Sequence, residues 1–359
     1  MTDTPQDSRK EQVAEGLIAT AFDSIGATFD TTFVADYQHL KSDLVRLYGL
    51  AKNAQWNGST DVDWTIEVDR DKPFMPHEDS ALYGTEHWNR LSEEGRHRLN
   101  NEFMAWTLSQ FLHGEQGALL ATAQLVDSVP NIDAKLYAST QVMDEARHVE
   151  VFDRYLHDKL EIVYPINPEL KLLLEQILSN SNWDMKYLGM QILVEGLALA
   201  AFHVMSNNVQ EPLIADITRL TLQDEARHVA FGVLSLKGYY DDMTESEINE
   251  RAEFIYEASR LMRDRFLGRE VFEKMGMDVE ACLEIEFHDE RSRQFRQYLF
   301  SKIVPNVKKL GLLTPSLRKG FADLGVLDYE HLPSSEEELF APGGGLAEGS
   351  PEEQSAFVN

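Results

Sequence analysis

The sequence is nearly without cysteine: Cys282 is the only one in 359 residues. An internal disulfide and a thiolate metal cluster are therefore excluded. Any metal must be held by oxygen and nitrogen, and a reducing cytoplasm fits the composition best. Basic residues are also scarce, 33 Lys and Arg against 61 Asp and Glu, giving a formal net charge of -28. Nucleic acid and anionic membranes need a basic surface, so neither is expected as a partner. No stretch approaches the ~18 uninterrupted apolar residues of a membrane span. The N-terminus, Met1 to Gln12, lacks the apolar core of a secretory signal, so the chain reads as soluble and unsecreted. Strand-like alternation is missing too, and the fold class expected is all-α.

What is there is helical periodicity, and a hydrophobic share of 43% that can bury a large core. Apolar spacing predicts accessory helices over Glu11–Ser24 and Thr32–Asn53. Turn formers from Gln55 to Trp64, then Pro73 and Pro76, predict irregular chain to about Tyr83. Trp56 and Trp64 in that stretch could plug the end of a bundle or flank a substrate entrance, packing being the commoner use of large aromatics. Ser92 caps a long helix to about Val126, broken by Pro130–Asn131. A second helix runs from about Asn131 to Lys159. A third region covers Glu169 to about Asn207 with a break near 180–182, and a fourth helix runs from Pro212 to about Gly238. The capping box Thr244–Glu247 opens a fifth, to roughly Met275. A further helix is expected over Val279–Leu310, with Asp289–Arg291 and Arg293–Gln297 as a solvated charged stripe. The expected organisation is a disordered N-terminus over 1–10, one helical domain over 11–332 with its metal-binding core at about 93–240, and a disordered acidic tail over 333–359.

One hexapeptide occurs twice. Asp144-Glu145-Ala146-Arg147-His148-Val149 returns as Asp224-Glu225-Ala226-Arg227-His228-Val229, 80 positions later. Each copy holds a Glu-x-x-His, which on a helix sets a carboxylate and an imidazole on one face about a turn apart. Each also has a glutamate 30 positions upstream, Glu115 before Glu145 and Glu195 before Glu225. All four glutamates sit in apolar stripes. Carboxylates converging on a core need strong positive compensation, and two divalent metals held by Glu115, Glu145, His148, Glu195, Glu225 and His228 supply it. A single Glu-x-x-His is commonly surface or a satisfied core histidine; two in register with matching upstream glutamates are not.

On these residues the stretch from about Glu93 to Tyr240 resembles the ferritin-like di-iron carboxylate proteins. More narrowly it is similar to their oxygen-activating branch: bacterial multicomponent hydroxylases, acyl-carrier-protein desaturases, arylamine N-oxygenases and the ribonucleotide reductase small subunit. The resemblance implies a ferritin-like four-helix bundle with additional N- and C-terminal helices. It implies two irons on the six residues, manganese being admissible at one or both sites, with Glu145 and Glu225 as bridges. Asp144 and Asp224 would accept from the distal N–H of the histidine on the opposite helix, and Arg147 and Arg227 would hold those aspartates. Read without the resemblance, each Arg–Asp is equally a helix-surface pair. No catalytic residue beyond the metal ligands is identified.

Departures narrow the function. Phe152 stands where the reductase subunit keeps its radical tyrosine, Thr221 where the N-oxygenases add a third histidine, and Leu199 where the multicomponent hydroxylases carry a threonine. The expected function is a dioxygen-dependent oxidoreductase that hydroxylates or otherwise oxygenates an organic substrate. A reductase or ferredoxin would supply electrons, and the chain could pair as a homodimer. Ferroxidase activity, N-oxygenation or desaturation, and a structural-metal bundle are the alternatives. The small residues Ala118, Thr122, Ala198 and Gly232, facing inward near the ligands, mark the expected substrate pocket, flanked by Phe152 and Leu199; equally, small residues let helices approach closely.

Overall fold

The computed structural model describes residues 24–341. Among them every regular element is helical. Residues 24–41 run extended, and α1 (Ser42–Asn53) follows. The helix expected to begin at Thr32 is therefore confined to its second half. Its first half is fixed as extended chain because Asp133 accepts from the backbone N–H groups of Leu40 and Lys41, both at 3.0 Å. Of the helix expected over 11–24, residues 11–23 lie outside the described residues. Irregular chain with short helical turns then leads to the bundle.

Four helices build the core. They are α2 (Glu93–Ser128), α3 (Ile132–Arg154), the continuous helix α5 (Trp183–Asn208), and α6 (Pro212–Leu236), with α4 (Pro168–Ser179) packed against α2. Their starts follow from side-chain caps. The Ser92, Asn131 and Asn167 side chains accept from the backbone N–H of Gly95, Ala134 and Leu170, and Glu211 accepts from Leu213 and Ile214. Short connections make α2 and α3 neighbours, and likewise α5 and α6. Two wide π-turns interrupt the regular winding, Tyr155–Leu160 after α3 and Leu188–Val194 inside α5, the latter ending at Glu195. α5 is long and apolar enough to cross a membrane by composition alone, but 83% of that window is buried inside the protein. Its apolarity serves the core.

The C-terminal part departs from expectation in three places. The capping box at Thr244 opens α7 (Glu245–Asp264), but the helix gives way to the turn Arg265–Leu267 and to Gly268 at φ 68°, so it does not reach Met275. A side chain there would be strained and would meet the Phe103 ring. Beyond it lies the short α8 (Arg269–Lys274). The single helix expected over Val279–Leu310 is three: α9 (Val279–His288), α10 (Glu290–Tyr298) and α11 (Val304–Lys309). Asp289 caps α10 through Ser292, which starts a new helix rather than continuing the old one. The charged stripe is not wholly solvated either. Arg296 is buried and donates to the backbone oxygens of Glu286 (3.0 Å) and Phe287 (2.7 Å). Finally, α12 (Pro315–Asp323) is followed by α13 (Ser335–Phe340) inside the stretch read as a disordered tail. α13 packs on α6, with Glu336 taking Lys237 at 2.8 Å and Glu338 taking Lys302 at 2.7 Å. Its acidic composition serves ion pairs, not solvation. Residues 342–359 and 1–10 lie outside the described residues.

Candidate metal centre

α2, α3, α5 and α6 each bring one glutamate to the middle of the bundle, and α3 and α6 add a histidine one turn further on. Glu115, Glu145, His148, Glu195, Glu225 and His228 are all buried. Their ligating atoms form two overlapping groups: Glu115, Glu145, His148 and Glu225 in one, Glu145, Glu195, Glu225 and His228 in the other. Within each group the atoms lie within 4.8 Å of one another. Glu145 and Glu225 belong to both.

The histidines are oriented alike. His148 Nδ1 stands 3.1 Å from Glu115, 3.4 Å from Glu145 and 3.3 Å from Glu225. His228 Nδ1 stands 3.1 Å from Glu145 and from Glu195, and 3.6 Å from Glu225. Both Nε2 atoms face away, each toward the aspartate of the opposite motif: His148 to Asp224 at 3.1 Å and His228 to Asp144 at 3.3 Å. A carboxylate on Nε2–H fixes the tautomer that leaves Nδ1 as the electron-pair donor.

The arginines hold those aspartates. Arg147 Nη2 donates to Asp144 at 2.6 Å and to Asp224 at 2.8 Å, tying the two motifs together, while Arg227 donates to Asp224 and to the Gln223 carbonyl. Three further residues complete the network; Gln141 and Gln55 were not singled out in the sequence, and Trp56 was read there only as packing or as the flank of an entrance. Gln141 Nε2 donates to Glu145 at 2.9 Å and Glu195 at 2.8 Å. Gln55 Nε2 donates to Asp144 at 2.8 Å. Trp56 Nε1 donates to Asp224 at 2.8 Å, its ring stacked on His148 with centroids 6.4 Å apart. Gln141 could have been found, because it lies one turn before Glu145 on the same inward face. Gln55 and Trp56 come from irregular chain, where periodicity gives no signal.

The electrostatics show what the cluster lacks. Burial pushes the Glu115 and Glu195 carboxyls well above the usual range, and neighbouring glutamates push the same way. At Glu145 burial is outweighed by the charges and hydrogen bonds of His228 and His148, which hold it well below the usual range; Glu225 is lowered for the same reason. Burial opposes the imidazolium at both histidines, but the glutamates and aspartates around them raise both well above their ordinary value. Metal-free, the cluster thus balances itself with protons. Even so, Glu145 Oε2 and both carboxylate oxygens of Glu225 are buried without a hydrogen bond. Two divalent cations carry four positive charges, matching four carboxylates and leaving both imidazoles neutral to ligate. The residues present therefore fit a pair of metals.

The space expected at Gly232 is filled. A Cβ on Gly232 would stand 2.6 Å from Gln191 Cβ and 3.1 Å from Ile192 Cδ1, so the glycine admits the π-turn of α5 rather than a ligand. Gln191 in turn donates to Thr122 at 3.3 Å. Ala118, Thr122, Phe152 and Leu199 are buried and Ala198 half-buried, and none of these lines the cavity of about 360 Å³ that the bundle does contain. That cavity lies on the opposite side of the centre, beyond Phe111.

Four helices presenting four glutamates and two histidines in this arrangement define a dimetal carboxylate protein of the ferritin-like type. Over residues 38–311 the sequence matches the family described as p-aminobenzoate N-oxygenase AurF, and the chain belongs to that family. It is a dioxygen-dependent di-iron oxygenase or oxidase acting on an organic substrate. Among solved structures, a variant of an R2-like ligand-binding oxidase with an anaerobically reconstituted Mn/Fe cofactor is similar at 18% identity and TM-score 0.42, over 77% of this chain and 94% of that one. A second variant, aerobically reconstituted, gives 18% and 0.41, over 80% and 94%. No curated protein matches the sequence.

Proposed function

We propose that the six residues ligate two irons and that the chain inserts oxygen into an organic substrate held beside them, an amine nitrogen being the first acceptor to test. The observation that carries this reading is the buried pair of four-residue groups sharing Glu145 and Glu225. Bound there, the irons supply the site at which dioxygen is bound and reduced. The chain's own residues do the rest. Asp224 and Asp144 hold the two imidazoles with Nδ1 toward the glutamates, Arg147 holds both aspartates, and Gln141 keeps Glu145 and Glu195 from rotating away. The apolar packing around the cluster excludes bulk water.

Inserting one oxygen atom consumes dioxygen, two electrons and two protons and releases water. A reductase or ferredoxin would deliver those electrons. Family membership supports nitrogen as the acceptor. Thr221, where the N-oxygenases carry a third histidine, makes the ligand set here leaner, with manganese at one site as a variant worth measuring. The single buried cysteine supports a reducing, cytoplasmic setting.

The test is to load the protein with iron, reduce it, expose it to ¹⁸O₂ with p-aminobenzoate and related amines, and read products by mass spectrometry. Label in an organic product supports the reading. Rapid iron oxidation with no labelled product, in a cage-sized assembly, selects ferroxidase activity instead.

A further inference from the structure

The lining of the cavity of about 360 Å³ runs from buried residues at one end to exposed ones at the other. Its deep end is formed by Phe111 and Ala201, both buried, and Phe111 lies one turn before Glu115 on α2. Phe111 packs against Phe202 (ring centroids 4.7 Å apart) and Phe152 (6.3 Å), and these two stack on each other at 5.7 Å, so an aromatic partition separates the cavity from the glutamates. The walls are apolar and aromatic, with Phe103, Trp106, Met205 and Phe295 among them. At the open end stand exposed Asp79 and Arg291 and half-buried Glu286. Burial raises the Asp79 carboxyl above its ordinary value, with the Arg291 charge opposing it only in part. Burial likewise pushes the Glu286 carboxyl up to about 7, although a hydrogen bond with Ser292 and the Arg296 charge both favour the ionised form. Arg296 spends hydrogen bonds on the backbone oxygens of residues 286 and 287.

We propose that this cavity is the substrate site, that it takes a flat, largely apolar molecule of more than one ring, and that Glu286 at its mouth selects a basic nitrogen on the outer end. The inference rests on the proposed function for the word substrate, and on the cavity alone for the ligand's shape and charge. The volume falls in the range of drug-sized ligands, ~300–1,000 Å³, which exceeds what a single-ring amine fills. A carboxylate at the outer end, as in p-aminobenzoate, would meet Glu286 with like charge. An ammonium group there would pair with the Glu286 carboxylate at the cavity's open end. The inner ring rests on Phe111, one helical turn from the nearest proposed ligand, and Phe111 governs how closely it approaches.

The test is calorimetric titration of the iron-loaded full chain with three probes: 4-(aminomethyl)biphenyl, biphenyl-4-carboxylate and benzylamine. The two-ring amine should bind at least ten-fold more tightly than either of the others. Glu286→Gln should erase the preference for amine over carboxylate while keeping the advantage of the second ring. Ala201→Phe, which fills the deep end, should abolish binding of both two-ring probes, with Val204→Trp as a second filling variant should the first misfold; iron content and melting temperature report folding. A carboxylate bound as tightly as the amine, an undiminished preference in Glu286→Gln, two-ring binding that survives filling, or no binding of any probe overturns the proposal. Dioxygen uptake by the reduced wild-type protein, measured without probe on the same samples, separates the two claims. Uptake with no amine preference removes the cavity assignment only, and binding as expected without uptake removes the oxygenase reading only.

Discussion

The two sides of the metal centre are built on one repeated pattern and differ in what surrounds it. Positions 80 apart correspond: Phe111 with Gln191, Phe152 with Gly232, and Thr122 with Phe202. On one side Phe111, Phe152 and Phe202 form an aromatic cluster that borders a cavity. On the other, Gln191 packs its aliphatic stem against Gly232 and donates to Thr122. The ligands themselves have not diverged; Glu, Glu and His keep their mirrored contacts in both halves. Supporting residues have: Gln141 bonds two glutamates, whereas its counterpart Thr221 has a buried hydroxyl without a partner among the described residues. The repeat accounts for the ligands, and the differences around them put the cavity on the Phe111 side.

The comparison can be broken most severely at the shared carboxylates. Glu225→Ala or Glu145→Ala should lose most of both metals, whereas Glu115→Ala or Glu195→Ala should weaken mainly one, because only the first pair belongs to both groups. Elemental analysis of each purified variant checks this, and equal losses in all four would dissolve the distinction. Next is the packing difference. Phe152→Ala removes a fully buried ring and should cost about 3–5 kcal/mol, while Gly232→Ala forces a methyl against Gln191 and should cost about 1–3 kcal/mol. Denaturant unfolding of both variants measures the two values, and a neutral Gly232→Ala would show that the closed side has room after all.

A smaller effect concerns pH. In the metal-free protein Glu115, Glu195, His148 and His228 hold protons more tightly than in the unfolded chain. The stability this gives is full below their ordinary values, 4.5 for the glutamates and 6.5 for the histidines, and is lost as pH rises through the raised folded values. Glu145 and Glu225 are shifted downward and act oppositely, losing their contribution only as pH falls. Metal-free protein should therefore melt at progressively lower temperature as pH rises above the glutamates' ordinary value of 4.5, and metal-loaded protein should not, since cations replace the protons. Parallel melting curves for the two forms across that range would place these glutamates in water.

Much of this was legible in the sequence, and the reasons are local. The hexapeptide repeat and its upstream glutamates point inward because a helix sets residues three and four apart on one face, and Ser92, Asn131 and Thr244 announce helix starts through their own side chains. What stayed hidden depends on tertiary partners. The run 279–310 reads as one helix because its apolar spacing carries through, although Asp289 and Pro305 mark the two later helix starts. The acidic segment at 335–340 reads as solvated because Lys237 and Lys302, its partners, are distant in sequence. Small residues near Gly232 looked like open space, and whether such residues line a void or admit a neighbour is decided by the facing helix, here by Gln191. Trp56 lies in irregular chain, so its bond to Asp224 has no periodic signature.

The account stands on two metals shared by Glu145 and Glu225. Anomalous diffraction from crystals of the iron-loaded protein tests that directly. Two peaks about 3.5–4 Å apart, each within ligand distance of both Glu145 and Glu225, with His148 Nδ1 on one and His228 Nδ1 on the other, is the result expected. A single peak, no peak, or metals bound away from these six residues would contradict it.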